Sequence, residues 1–373
     1  MANWLEQLTT SHVRELIPYE SARRLFTASE GQERVWLNAN ESPTANQFTI
    51  NSELLNRYPD CQPQAVLAGY ADYAELLPEQ ITVTRGADEG IELLIRAFCQ
   101  AGKDKVLICP PTYGMYGISA KTFNIGLETV PLNTNFSVDV DAVNALVGKV
   151  KLVFLCSPNN PTGTIIPQID VEAILEAHKE KAIIVLDEAY IEFSSEKNQT
   201  ALLRQYPNLV ILRTLSKGFA LAGIRCGFVL SSSAIKQVLL KVIAPYPVPD
   251  PVAQIASQAL SLKGIELMHN NVDMLSKELR TLSEALAQIK EITLVGNQCG
   301  NFVLFRSEHN KRLMAFLVEN NMLIRDQSKQ MMLDNCLRIS IGTQAQNAQL
   351  FTLIITFFEQ LKNNKATNQE AAL

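Results

Sequence analysis

Short apolar runs that each spill into a polar turn constrain this chain more than any other feature of it. They lie at 81–84, 106–109, 151–156, 182–186, 210–212 and 227–230, and segments of helical periodicity such as 139–146 and 171–178 fall between them. Strands with no polar face need cover on both sides. Alternation with helices supplies that cover, by building a mostly parallel sheet with helices on each face. The expected class is therefore α/β, and in such sheets ligands gather beyond the carboxyl ends of the strands. The polar turns sit at those ends: Gly86-Ala87-Asp88, the loop after Pro110-Pro111, Ser157 to Gly163, Asp187 to Tyr190, and the stretch that opens at Thr214.

That last stretch, Thr214-Leu-Ser-Lys-Gly-Phe-Ala-Leu-Ala-Gly-Ile-Arg-Cys-Gly-Phe228, is the most informative. Most lysines are solvated surface charges, but Lys217 has small and apolar neighbours that could bury it. An amine so placed loses part of its charge and becomes a nucleophile able to form a Schiff base with an aldehyde. Thr214, Ser216 and Arg225, with glycines that let backbone come close, suit a phosphate. A strand passing through Gly86 into a helix presents the N–H groups of Ala87 and Asp88 to the same kind of anion, with Asp88 a candidate cap. A reactive lysine beside a phosphate cradle suggests pyridoxal 5′-phosphate, and the other turns hold a partner for each remaining part of it. Asp187, ending the most apolar strand, suits a protonated ring nitrogen. Asn160 and Tyr190 suit the phenolic oxygen, Tyr113 the ring face, and Arg338 a substrate carboxylate. Each has a plainer reading alone: a turn residue for Asp187, core packing for Tyr113 (which reads, with Tyr116, as part of a Gly-containing loop), a surface pair for Arg338. Their joint occurrence, more than any one of them, points to the cofactor.

A helical pattern with His12, Val13 and Leu16 breaks at Pro18 and suggests an N-terminal arm over 1–30. A strand is expected at 35–37, a helix at 52–57, and a large cofactor-binding domain over 31–245. Pro245, Pro247, Pro249 and Pro251 make a stiff extended connector. After it, 246–373 reads as a small α+β domain: helix over 252–290 with a break near Gly264, strands at 292–295, 301–305, 323–325 and 337–341, helices at 313–319 and 345–360, and a frayed polar tail from about Asn363. The 373 residues carry 33 basic and 38 acidic groups, net −5, with no basic block, which speaks against nucleic-acid and anionic-membrane partners. No apolar run reaches a membrane span and no secretory leader is visible. Seven scattered cysteines and four separated histidines read as reduced thiols of a cytoplasmic protein, not as metal or disulfide sites.

The motifs Asn40-Glu41-Ser42-Pro43, Arg57-Tyr58-Pro59-Asp60, Gly86-Ala87-Asp88-Glu89, Pro110-Pro111-Thr112-Tyr113-Gly114, Ser157-Pro158-Asn159-Asn160-Pro161, Asp187-Glu188-Ala189-Tyr190, Ser216-Lys217-Gly218-Phe219 and Leu337-Arg338-Ile339-Ser340, in that order and spacing, resemble the fold-type I aminotransferases. Within that family the chain looks most like the members that act on L-histidinol phosphate. The resemblance spans nearly the whole chain and implies a large domain on a mostly parallel sheet of the seven-stranded type, a small α+β C-terminal domain, and a homodimer with shared active sites. It also implies that Tyr58 reaches the partner's cofactor phosphate, and that Tyr19 and Arg325 hold the substrate's imidazole and phosphate end, with Asn40 among the substrate contacts. The activity implied is transfer of the amino group between histidinol phosphate and 2-oxoglutarate. A broad aromatic or aspartate aminotransferase, a threonine-phosphate decarboxylase, and a non-catalytic binding module are the alternatives. Ser42 and Thr44-Ala45 depart from the family's Asn and aromatic-Gly at the entrance loop.

Overall fold

The structure, a computed structural model, describes residues 3–18 and 34–370. Its strands are, in chain order, β1 (Val35–Trp36), β2 (Ile81–Thr84), β3 (Lys105–Ile108), β4 (Gly126–Thr129), β5 (Leu152–Cys156), β6 (Ile183–Asp187), β7 (Leu209–Thr214), β8 (Gly227–Ser231), β9 (Thr293–Leu294), β10 (Phe302–Arg306), β11 (Met322–Leu323), β12 (Arg325–Asp326) and β13 (Cys336–Ser340). Seven of them form one sheet in the order β2-β8-β7-β6-β5-β3-β4. Strand β8 runs against both of its neighbours, and the other adjacent pairs are parallel. The α/β class and the mostly parallel sheet expected from the alternating pattern are therefore present.

Period-two alternation divides the apolar strands between two covers. Phe154, Val185, Val210 and Val229 pack under the helix Gly86–Phe98, with its Ile91 and Leu94. Their chain neighbours Val153, Leu155, Ile184, Ile211 and Leu230 face the opposite layer, which includes Val171 and Ile174 of the helix Gln168–Ala177 and Val66 and Tyr70 of the helix Gln64–Ala74. A separate core surrounds the antiparallel sheet β12-β13-β10-β9, where Val303, Phe305, Leu337 and Ile339 meet Leu275 and Leu279 of the helix Leu262–Ala287 and Leu350 and Ile354 of the helix Gln344–Glu370. The β1 strand pairs with β11, Leu37 N carries that pairing on by donating to Leu323 O, and Leu37 O accepts from Ser340 N of β13. The extended segment after β1 thus runs from the small sheet towards the ends of the large one.

Several local expectations are corrected. Residues 52–57 form turns, not a helix: Leu54 and Leu55 are exposed, so a segment this short has no buried stripe to offset helix nucleation. Asp88 does not cap its helix. Arg85 occupies the cap position without a side-chain capping bond, its guanidinium pairing with Glu89 Oε1 while Glu89 Oε2 accepts from Arg85 N at 2.6 Å. Tyr116 lies in the helix Met115–Thr122, not in a loop. The proline connector stops at Pro249, because Pro251 sits in the first turn of the helix Asp250–Ala259, where its missing N–H costs nothing. The next break falls at Leu260-Ser261, ahead of Gly264, with the Ser261 hydroxyl accepting from Gly264 N. The expected strand at 323–325 is two strands, since the chain changes partner at buried Ile324. The last helix continues through the polar tail to Glu370, in keeping with its Lys, Gln and Ala content.

The antiparallel return of β8 depends on one glycine. A Cβ at Gly227 would lie 2.5 Å from the carbonyl carbon of Gly86 and 2.6 Å from Ala87 N, both backbone atoms at the start of a helix that cannot move alone. Gly227→Ala is expected to cost about 1–3 kcal/mol of stability, read as a lowered midpoint in denaturant unfolding. An unchanged midpoint would show that β8 and the helix are less tightly coupled than their spacing implies.

Candidate active site

A cavity of about 420 Å³ opens at the carboxyl ends of the central strands, where Cys156, Asp187 and Thr214, the last residues of β5, β6 and β7, line it. The β7–β8 connection forms one wall. It folds back on itself through Leu215 N donating to Cys226 O and Leu221 N donating to Leu215 O, so Thr214, Ser216, Lys217 and Arg225 share one compact loop. Lys217 Nζ donates to the carbonyls of Ala39 and Asn40, at 3.1 and 3.2 Å, and lies 5.5 Å from the centre of the Tyr190 ring. Burial lowers its pKa to about 8, helped by the nearby charge of Arg338.

Asp187 forms the floor. Its Oδ2 accepts from the Tyr116 hydroxyl at 2.6 Å and its Oδ1 from Ala189 N at 3.1 Å. Burial nevertheless raises the carboxyl to about 6, because two hydrogen bonds only partly replace the lost water. Above the floor, the Tyr190 oxygen accepts from Asn40 Nδ2 at 2.9 Å and Asn160 Nδ2 at 3.4 Å, which leaves the phenolic O–H as a donor. Arg338 is buried on β13, its Nη1 donating to Asn160 Oδ1 at 2.6 Å and its Nη2 to Asn38 O at 2.9 Å.

At the far end lie Ala87 and Asp88, on the first turn of the helix Gly86–Phe98, whose N–H groups have no intrahelical acceptor. Thr214 Oγ1 donates to Ser216 Oγ at 2.8 Å, and Arg225 Nη1 donates to the same oxygen at 3.3 Å. Arg225 takes up the left-handed backbone region (φ 54°), which costs a non-glycine residue about 1–2 kcal/mol and turns its side chain back over the helix start. Gly86 makes room for it, since a Cβ there would come within 2.7 Å of the guanidinium. The carboxylate of Asp88 has the wrong sign for an anion site, but it is turned to Arg225 Nη2 (3.2 Å) and to the Tyr113 hydroxyl (2.9 Å).

Lys217, Asp187, Asn160, Tyr190, Thr214, Ser216, Ala87, Asp88, Tyr113, Arg225, Asn40, Arg325 and Arg338 therefore line one cavity, although they span the chain from 40 to 338. Tyr58 does not: it is exposed, stacked on Tyr246 at 4.4 Å. Tyr19 lies outside the described residues. The residues present suit pyridoxal phosphate by donor chemistry: an amine of lowered pKa, a buried acid, a phenol and amide pair, and an anion cradle at the opposite end. Arg325 Nη1 is buried without a hydrogen-bond partner among the described residues, so the cavity keeps a cationic donor for a ligand. Sequence reading missed Tyr116, Gln327, Gln330 and the Ser340 hydroxyl, which donates to Asn40 Oδ1 at 3.1 Å. No local spacing signals the role of Tyr116, since its helix begins at Met115 and Tyr113 lies outside it. Among the described residues no helix is long and apolar enough to cross a membrane, and no cluster of His, Cys, Asp or Glu could hold a metal ion.

Residues 29–354 match the family model described as aminotransferase class I and II. A histidinol-phosphate aminotransferase of Pseudoalteromonas atlantica is 56% identical over 356 residues, covering 95% of this chain and 96% of that protein. The crystal structure of the histidinol-phosphate aminotransferase from Clostridium acetobutylicum superposes with a TM-score of 0.76 at 26% identity, over 84% of this chain and 92% of that one. That of the Sinorhizobium meliloti histidinol-phosphate aminotransferase, in complex with pyridoxal-5′-phosphate, gives 0.81 at 22% identity, over 94% and 98%.

In ligand-free protein, Lys217 is expected to be the lysine alkylated first by a small aldehyde with cyanoborohydride at pH 7.5. Its labelling should fall away below about pH 8 as the amine is protonated. Peptide mass mapping checks this, and uniform labelling of the lysines would contradict the environment assigned to Lys217.

Proposed function

The chain belongs to the class I and II aminotransferases, and from that premise we propose that it moves the amino group of L-histidinol phosphate to 2-oxoglutarate with pyridoxal 5′-phosphate as its cofactor. The observation that carries this reading is the meeting of Lys217 and Asp187, an amine and an acid both taken out of water, across a single cavity. When bound, the cofactor supplies an aldehyde to take up the amino group and a protonated ring to spread the charge left on the substrate carbon. Lys217 anchors that aldehyde at rest. Once free of it, Lys217 would take the proton from the substrate Cα and return one at C4′, for which an amine titrating near 8 is well matched to neutral pH. Asp187 is the partner of the ring nitrogen. Tyr190 and Asn160 donate to the phenolic oxygen and Tyr113 covers the ring. The N–H groups of Ala87 and Asp88, the hydroxyls of Thr214 and Ser216, and Arg225 hold the phosphate.

Arg338 and Arg325 give the cavity the means to accept two anions of different shape, a phosphate from one substrate and a carboxylate from the other. Asn40 and Tyr19 complete the substrate contacts. We place the site in a cytoplasmic homodimer in which Tyr58 serves the partner's phosphate cradle, a role compatible with its exposed position in the single chain. We divide the chain into an arm (1–30), a large domain (31–245) and a small domain (246–373).

Lys217→Ala is expected to lower turnover of histidinol phosphate by at least about 10²–10⁴-fold while leaving the circular dichroism spectrum and oligomeric state unchanged. Arg338→Lys, which loses the planar fork, should lower kcat/KM for 2-oxoglutarate about 10–100-fold. Parallel assays with aromatic amino acids and threonine phosphate decide the substrate. Faster turnover of either, or release of carbon dioxide from threonine phosphate, would reject histidinol phosphate as the amino donor.

A further inference from the structure

Tyr116 has no place in the mechanism above, yet its hydroxyl makes a short, fully buried bond to the acid at the cavity floor. The 2.6 Å hydrogen bond runs from Tyr116 Oη to Asp187 Oδ2, and neither residue is more than 2% exposed. The phenol is held rigidly: its ring stacks on Phe154 of β5 at 4.9 Å and 10° and meets Tyr113 edge-on at 5.6 Å. Ala189 N donates to the other carboxyl oxygen. Each oxygen of Asp187 thus has one fixed donor, and the plane of the carboxyl is set before any ligand arrives.

The remaining groups around Asp187 do not favour its ionisation. Cys156, at the end of β5, faces both residues as a neutral thiol, its pKa pushed up to about 12 by burial. Asp88, from the helix opposite, and Glu188, the next residue along, oppose a second negative charge. Tyr190 is a neutral phenol raised to about 12 by burial. Among the described residues Tyr116 is the one side chain that donates a hydrogen bond to Asp187.

We propose that Tyr116 is a positioning residue for this reaction: it keeps Asp187 in one orientation and in the carboxylate form, so that a proton shared between this acid and a ring nitrogen rests on the nitrogen. The inference depends on the cofactor assignment made above. Removing the hydroxyl leaves a buried carboxyl with one donor, and its protonated form gains by the worth of a charge-assisted hydrogen bond, on the order of one pH unit or more.

The test uses Tyr116→Phe, which keeps the ring and its stacking. Protein prepared without cofactor and labelled with ¹³C at aspartate carboxyls is titrated by NMR, with Asp187→Asn assigning the resonance. The Asp187 midpoint should rise by about one unit in the variant. The dissociation constant for pyridoxal phosphate at pH 6.5, from equilibrium dialysis, should increase about threefold, the change that a midpoint moving from about 6 by about one unit makes in the ionised fraction at that pH. As a second arm that leaves packing intact, 3-fluorotyrosine incorporation makes the phenol a stronger donor and should lower the Asp187 midpoint. A midpoint that moves in neither arm, or a dissociation constant that Tyr116→Phe leaves unchanged, overturns the proposal. Wild-type protein that does not bind pyridoxal phosphate overturns the cofactor assignment instead, and the carboxyl titration, which needs no cofactor, separates the two failures.

Discussion

Desolvation of two opposite charges is the condition on which the rest of this structure depends. The amine of Lys217 and the carboxyl of Asp187 would each be ionised on a surface, and here burial moves both towards their neutral forms, to about 8 and about 6. The two shifts have opposite sign and one cause. That cause is the central sheet: β5, β6 and β7 are buried along their length, so residues at their carboxyl ends meet apolar packing below and a narrow cavity above. An open or amphipathic sheet could have held the same residues but not their titration. The continuous apolar runs that dictate the fold therefore also dictate the chemistry.

A second requirement is that the cavity be closed from the far side, and the chain meets it with a segment from its own beginning. Between β1 and Asn40 the backbone is clamped to the small sheet through Ser340 N donating to Leu37 O and Asn40 N donating to Ser340 Oγ at 2.7 Å. The same few residues then supply the carbonyls of Ala39 and Asn40 to Lys217, the amide of Asn40 to Tyr190, and the carbonyl of Asn38 to Arg338. Arg338 reaches Asn160 across the gap between the two sheets. Any shift of the small sheet against the large one is felt at the amine, the phenol and the guanidinium together. Substrate anions that draw on Arg338 and Arg325 thereby act on the same joint.

What could be read from the sequence follows the range of the forces involved. The strands β5 to β8 were legible because an unbroken apolar run has one stable environment, and the polar turns were legible because such strands end at a ligand edge. Lys217 stood out by its neighbours within a few residues. The half-exposed edge strand β4, Gly-Leu-Glu-Thr, has no such run and left no signal. Residues 52–57 had a helical pattern but no surface to bury it against, and Asp88 looked like a cap although Arg225 and Tyr113 claim its carboxylate. The pairing of Tyr116 with Asp187, 71 residues apart, is a contact of tertiary packing, and no local spacing encodes it.

The opposite shifts of Asp187 and Lys217 also bear on what kind of ligand completes the site. Burial holds the acid at about 6 and the amine at about 8, each charged form carrying a desolvation cost that an opposite charge would offset. A cation brought to Asp187 would lower its carboxyl from about 6 towards the ordinary carboxylate range by direct Coulomb attraction. An anion brought to the Arg225 end would engage a guanidinium now shared among Asp88, Ser216 and the Ala222 carbonyl. One molecule carrying a positive ring atom at one end and a phosphate at the other relieves both at once. A simple anion or a simple cation relieves only one. The cavity thus suits a ligand with a positive ring atom at one end and a phosphate at the other, and Lys217 lines the same cavity as both ends.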